Sequence, residues 1–140
     1  MIKRQLMNRS EIEALLKGKG LQPTLQRVGI CQFVLCEADH PTAEVVHAWA
    51  EQHLGKISLA TVYNTLKSLV EVELLREYKF SHSEKSIYDN NLAKHHHFLD
   101  IGTGKIHDVS ASDLSLKANL GSAFQVQGFD ILFRGTYNQI

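Results

Sequence analysis

The sequence predicts an α+β fold, with a winged helix at the N-terminus and a smaller α/β domain behind it. Three observations carry this expectation. Four segments up to Val70 repeat apolar residues at helical spacing, each with a capping residue at its start. From Leu74 the pattern changes to that of two short strands around a polar stretch, which suits a hairpin. A polar linker, Asn90 to Lys94, then precedes a second pair of strands joined by Gly102-Thr103-Gly104.

The first helix is expected from about Asn8 to Lys17. Ser10 and Glu13 have capping-box spacing, Ile12, Leu15 and Leu16 form the apolar stripe, and Gly18 and Gly20 end it. Thr24 caps the second helix, in which Leu25, Val28, Ile30, Cys31, Val34 and Leu35 recur at helical spacing. Asp39-His40-Pro41-Thr42 is a turn followed by a cap, and the third helix runs through Val45, Val46 and Trp49 to about His53. Ser58 caps the fourth, with Leu59, Val62, Leu66, Leu69 and Val70 on one face. Leu74 to Phe80 and Ser86 to Tyr88 are the strands of a wing, joined by Ser81-His82-Ser83-Glu84-Lys85. Past the linker, strands are expected over His95 to Ile101 and Lys105 to Ser110. A short helix over about Ala111 to Leu120 and a last strand over Phe124 to Phe133 complete the chain.

A chain of 140 residues can bury one core or two small lobes. The second lobe has fewer than ~50 residues, too few to be secure alone, so it is expected to pair with a copy of itself. The formal net charge is zero. That argues against indiscriminate coating of nucleic acid, which needs clustered Lys and Arg, but is compatible with a specific binder. No apolar run approaches the ~18 residues that span a bilayer. Met1-Ile2-Lys3-Arg4-Gln5-Leu6 has no long apolar region behind its charges, which points away from a secretory signal and towards the cytoplasm. Cys31 and Cys36 lack a second pair to complete a zinc site, and their spacing turns a helix by ~140°. They are expected to be small core residues.

Two clusters carry chemistry. The fourth helix contains Ser58-Leu59-Ala60-Thr61-Val62-Tyr63-Asn64-Thr65-Leu66-Lys67. In a winged helix this element reads the major groove. Its N-terminus attracts phosphate, Ser58 and Thr61 add hydroxyls, Tyr63 suits a thymine methyl, Asn64 suits adenine and Lys67 a phosphate. The plainer alternative is a capped amphipathic helix with a solvated polar face. The second cluster is Lys94-His95-His96-His97-Phe98 with His107-Asp108. His95 and His97 are two apart on a strand and share a face, while His96 points the other way. Asp108 lies on the partner strand, Asp89 just before the linker and His40 in the turn before the third helix. Imidazole and carboxylate without thiolate favour iron, manganese or zinc. The plainer alternative is a surface strand with fortuitous histidines. His47, His53 and His82 are expected to be structural or solvated, His107 to point away from Asp108, and Trp49 to fill the core.

Gln26-Arg27, His40-Pro41-Thr42-Ala43-Glu44, Ser58 to Leu66, and Tyr88-Asp89 with His95-His96-His97 together resemble the Fur family of metal-dependent bacterial repressors. The resemblance implies a winged-helix DNA-binding domain over 1–89, a hinge over 90–94 and an α/β dimerisation domain over 95–140. It implies a homodimer on double-stranded operator DNA, and a non-enzymatic regulator in which metal sets the angle of the reading heads. Its implied DNA contacts are Ser58, Thr61, Tyr63, Asn64 and Lys67, with Arg27 and Gln22. The likeness is greatest to the peroxide-sensing PerR branch, whose three His and two Asp fall on His40, Asp89, His95, His97 and Asp108. This implies one regulatory Fe²⁺ or Mn²⁺ per subunit, or Zn²⁺ in purified protein. It further implies that peroxide oxidises His40 or His95 of the iron form and so ends repression.

Two departures from the family pattern carry expectations. Asp100 and Thr103 stand where a first C-x-x-C pair would be, and no second pair follows, so no structural zinc is expected. Gln22 stands where a minor-groove Lys or Arg is usual. The His run without cysteine pairs is also similar to the Irr branch, which responds to haem and iron, although that branch's Cys-Pro motif is absent. A metal-dependent hydrolase and a metal carrier without DNA contact are alternatives from other classes.

Overall fold

The computed structural model describes residues 6–139. Met1 to Gln5, on which most of the non-secretory reading rests, lie outside the described residues. The chain divides into two compact units, with the break between Leu92 and Ala93. Among the described residues no helix is long and apolar enough to cross a membrane.

The first unit holds helices α1 (Arg9–Gly18), α2 (Leu25–Cys36), α3 (Ala43–His53) and α4 (Leu59–Glu71). Strands β1 (Arg76–Tyr78) and β2 (Ile87–Asp89) pair antiparallel, with Arg76 opposite Asp89 and Tyr78 opposite Ile87. Thr24, Thr42 and Ser58 cap their helices as expected, each side-chain oxygen accepting an N–H from the first turn. At α1 the expectation fails by two residues. Asn8, not Ser10, is the cap, and it forms the capping box with Glu11 rather than Glu13. Glu13 instead pairs with Arg9 at 3.1 Å along the helix. The apolar residues facing inward from the four helices, among them Ile12, Leu16, Ile30, Leu35, Val46, Val62, Leu66 and Leu69, are fully buried. Cys31 and Cys36 are buried in this core and are not joined in a disulfide. Trp49 stacks between Phe33 and His53 at 4.3 and 4.7 Å, so it is half-buried at the edge of the core.

The second unit is a three-stranded sheet of β3 (His95–Asp100), β4 (Ile106–Ser110) and β5 (Leu132–Gly135), in the order β4-β3-β5. β4 runs antiparallel to β3 and β5 parallel to it. β4 returns the chain to the end of the sheet where β3 began, and residues 114–131 then carry it past β3 to the other edge, where β5 runs parallel to β3. The helix expected over Ala111 to Leu120 is replaced by a single 3₁₀ turn, Ala111–Asp113, after which Leu114 is extended at φ −122°, ψ 129°. The reason lies in the period. Leu114, Leu116, Ala118 and Leu120 are two apart, the spacing of a strand, which in a helix would scatter them around the axis. The last strand is likewise shorter than expected, beginning at Leu132 rather than Phe124.

Candidate functional site

Two groups of imidazoles and carboxylates form, one in each unit. In the first unit, Tyr88 N–H donates to the Pro41 carbonyl at 2.9 Å, so β2 is tied to the turn that precedes α3. That bond sets Asp89 beside His40, with Nε2 3.3 Å from Oδ2 and both side chains buried. The other oxygen of Asp89 accepts the Asn91 N–H at 2.9 Å. His40 Nδ1 lies 2.6 Å from the Asp39 carboxylate. A carboxylate there holds a proton on Nδ1 and fixes the ring with Nε2 turned towards Asp89. Two acceptors at that distance repel unless a proton or a cation stands between them. His40 is held at φ +48°, a left-handed conformation uncommon for a residue with a side chain and often found where geometry serves a site. Asp39 was not singled out from the sequence. Its only signal there is its position next to a histidine.

In the second unit, register brings the donors together. Asp108 sits directly opposite His97 on the paired strand, and His95 is two residues along the same face. His95 Nδ1 donates to the Ala93 carbonyl at 2.6 Å, which leaves Nε2 as the ring's lone pair. That nitrogen lies 3.1 Å from His97 Nε2 and 3.5 Å from Asp108 Oδ1, and His97 Nε2 lies 3.7 Å from the same oxygen. Donors bound at about 2.1 Å to one ion stand about 3.0–3.5 Å apart, so the trio fits an ion of this class with little adjustment. His96 faces the other way, as expected. Its Nδ1 accepts the Ile131 N–H at 3.2 Å and its ring stacks on Phe129 at 5.3 Å. Burial, reinforced by Lys94, pushes its pKa down. His107 stacks on Tyr137 at 4.1 Å, outside the trio.

The α4 residues with possible DNA contacts fall into two sorts. Tyr63, Asn64 and Lys67 are exposed on the polar side of the helix. Ser58 and Thr61 are engaged in the cap itself: the Ser58 hydroxyl accepts the Thr61 N–H at 3.1 Å, and the two hydroxyls meet at 2.8 Å. On α2, Arg27 donates through Nη1 to the Gln22 carbonyl at 2.7 Å, so these two candidates form one local unit. Glu44, unassigned from the sequence, accepts from Tyr63 at 2.8 Å.

Residues 18–131 match the Ferric uptake regulator family. The chain belongs to that family. The peroxide-responsive repressor PerR of Staphylococcus epidermidis is 30% identical over 118 residues, 84% of this chain and 77% of that protein. The solved structure of PerR from Streptococcus pyogenes is 26% identical with a TM-score of 0.54, covering 98% of this chain and 96% of that one. The ferric uptake regulator of Vibrio cholerae is 21% identical with a TM-score of 0.67, over 89% of this chain and 98% of that one. As a ferric uptake regulator family member, the chain is a metal-responsive DNA-binding transcriptional regulator and not an enzyme. Its α+β architecture is that of the family, an N-terminal winged-helix DNA-binding domain followed by a dimerisation domain, here a three-stranded sheet with a 3₁₀ turn.

Proposed function

We propose that the chain is a repressor that grips operator DNA as a homodimer when His40, Asp89, His95, His97 and Asp108 hold one divalent ion per subunit, Fe²⁺ or Mn²⁺. The observation that carries this reading is the convergence of His95 Nε2, His97 Nε2 and Asp108 Oδ1 within 3.1–3.7 Å. The His40–Asp89 pair, with Nε2 3.3 Å from Oδ2, supplies the same donor chemistry from the other unit. Ser58, Thr61, Tyr63, Asn64 and Lys67 of α4 meet the operator, with Arg27 and Gln22 beside them, and residues 95–140 pair the subunits. No structural zinc is assigned. At the turn where the family's first cysteine pair would be, Asp100 accepts from the Gly102 N–H at 2.9 Å and from the Thr103 hydroxyl at 2.8 Å, a closure made by hydrogen bonds alone.

The signal in this reading is hydrogen peroxide, in line with the name of the staphylococcal relative. Ferrous iron held by these residues would pass one electron to hydrogen peroxide and take one back from the attacked imidazole, so that one peroxide oxygen enters the histidine and the other leaves as water. His40 and His95 are the ligands assigned to be oxidised. Each ring is fixed through Nδ1, by Asp39 and by the Ala93 carbonyl. Iron-loaded protein treated with peroxide is expected to gain one oxygen on the peptide of His40 or His95 and to release an operator fragment. The manganese form is expected to do neither. An unmodified iron form that keeps its operator affinity overturns the peroxide reading. A double His95→Ala, His97→Ala variant that still binds the operator at every Mn²⁺ concentration overturns the metal dependence.

A further inference from the structure

Glu44 belongs neither to the ligand set nor to the row of α4 residues assigned to DNA, yet three elements of the first unit meet at its carboxylate. It stands in the first turn of α3. The Tyr63 hydroxyl on α4 donates to one of its oxygens at 2.8 Å, and Lys85 Nζ, in the hairpin between β1 and β2, lies 3.5 Å from the other. The Tyr63 ring itself is 42% exposed. The hydrogen bond from Tyr63 is the largest influence holding the Glu44 carboxyl below its usual range, and the same bond pushes the Tyr63 phenol up.

A phenol has one proton to donate. Given to a carboxylate in a charge-assisted bond, it is withheld from the acceptors on a base edge. The exposed ring then offers DNA an apolar surface, and the group it fits in the major groove is the thymine methyl. A carboxylate this near the reading helix would repel phosphate if left alone, and the phenol and the Lys85 ammonium offset that. We propose that Glu44 is the positioning residue of the reading surface: it anchors the Tyr63 hydroxyl so that α4 recognises thymine through the ring, and it ties the wing hairpin to the same point through Lys85.

This inference rests on α4 being the DNA-reading element, and the experiment separates the two. Metal-loaded full-length protein is titrated with operator DNA and with the same duplex carrying deoxyuracil for every thymine. Each contacted methyl is expected to contribute about fourfold to the wild-type preference for thymine. Tyr63→Ala is expected to abolish the preference. Glu44→Ala and Tyr63→Phe are expected to weaken it to the same degree, and the double variant to be no worse than either. Glu44→Gln keeps an acceptor for the phenol and is expected to restore the preference, which a general loss of folding would not allow. If Tyr63→Ala binds both duplexes as wild type does, the thymine contact and the role of Glu44 fall; if Asn64→Ala and Lys67→Ala are silent as well, α4 is not the reader and both readings fall. If Tyr63→Ala loses the preference while Tyr63→Phe or Glu44→Ala keeps it in full, only the role of Glu44 is overturned. Should Glu44→Ala fail to fold, the Tyr63→Phe and Glu44→Gln pair still decides.

Discussion

The two units bury different kinds of side chain. In the first, the large fully buried residues are aliphatic, Ile12, Leu16, Ile30, Leu66 and Leu69 among them. In the second, among the described residues, the largest fully buried side chains are His96 and His97, and the buried apolar residues are Leu99 and Ile106. Leu116, Leu120, Phe124, Val126 and Phe133 meanwhile stand exposed. The first unit therefore closes its own core, whereas the second fills the centre of its sheet with imidazoles and leaves much of its apolar surface outside. Exposed apolar residues in this number suit a surface that pairs with another. A second copy of the chain is the cover the proposed dimer supplies.

The largest effects should separate the units by where apolar volume is removed. Leu66→Ala is expected to lower the stability of the first unit by about 2–5 kcal/mol, through lost burial and the cavity left behind. Phe124→Ser is expected to change folding little and instead to shift sedimentation towards monomer. Equal losses of thermal stability from both substitutions, with no change in association, would break the comparison.

Metal affinity gives the next contrast. His97→Ala removes a proposed ligand at the centre of the trio, and Mn²⁺ binding by calorimetry is expected to vanish. Asp39→Asn leaves all five proposed ligands in place but takes away the carboxylate beside His40, and outer partners of this sort are worth roughly 10–100-fold in affinity. His96→Ala, one residue from two ligands on the opposite face of β3, is expected to leave affinity unchanged. A loss at His96 equal to that at His97 would mean that the strand as a whole, and not one face of it, supports the ion.

The contrast between units also explains what could be read in advance. Thr24, Thr42 and Ser58 were legible as caps because capping is local chemistry, decided within three residues. The shared face of His95 and His97, and the opposite one of His96, followed from the rigid two-residue period of a strand. Residues 114–131 form neither the expected helix nor the start of the last strand: the two-residue period of Leu114 to Leu120 argues against a helix, but a period does not say whether a strand partner exists. Asp39 and Glu44 act through side-chain partners, and Glu44 meets Tyr63 across nineteen positions of chain. Only the fold brings Glu44 to Tyr63, so spacing gave no sign of that pair, whereas the one sign of Asp39 was its place beside His40.

A smaller effect tests the closed core of the first unit through pH. Burial, then the charges of Glu77 and neighbouring groups, pushes the Tyr88 phenol from 10.0 up to about 12. A raised folded-state value means that stability is fully present below the unfolded value, near pH 10, and is lost as pH rises towards 12. Alkaline unfolding followed by circular dichroism should begin in that window, and Tyr88→Phe should flatten it. An unchanged alkaline limb in Tyr88→Phe would show that this phenol is not the group responsible.

The smallest contrast lies within α1. Asn8 and Ser10 each stand three residues before a glutamate, so both satisfy the capping-box pattern, and only the structure separates them. Asn8 receives the Glu11 N–H at 2.9 Å while Glu11 reaches back to the Asn8 N–H at 3.0 Å. Ser10 is an exposed residue inside the first turn. Asn8→Ala is therefore expected to cost about 1 kcal/mol in denaturant unfolding. Ser10→Ala should stay within about 0.5 kcal/mol of wild type, since alanine is the better helix former at a position that caps nothing. The reverse order would move the start of α1 two residues along the chain.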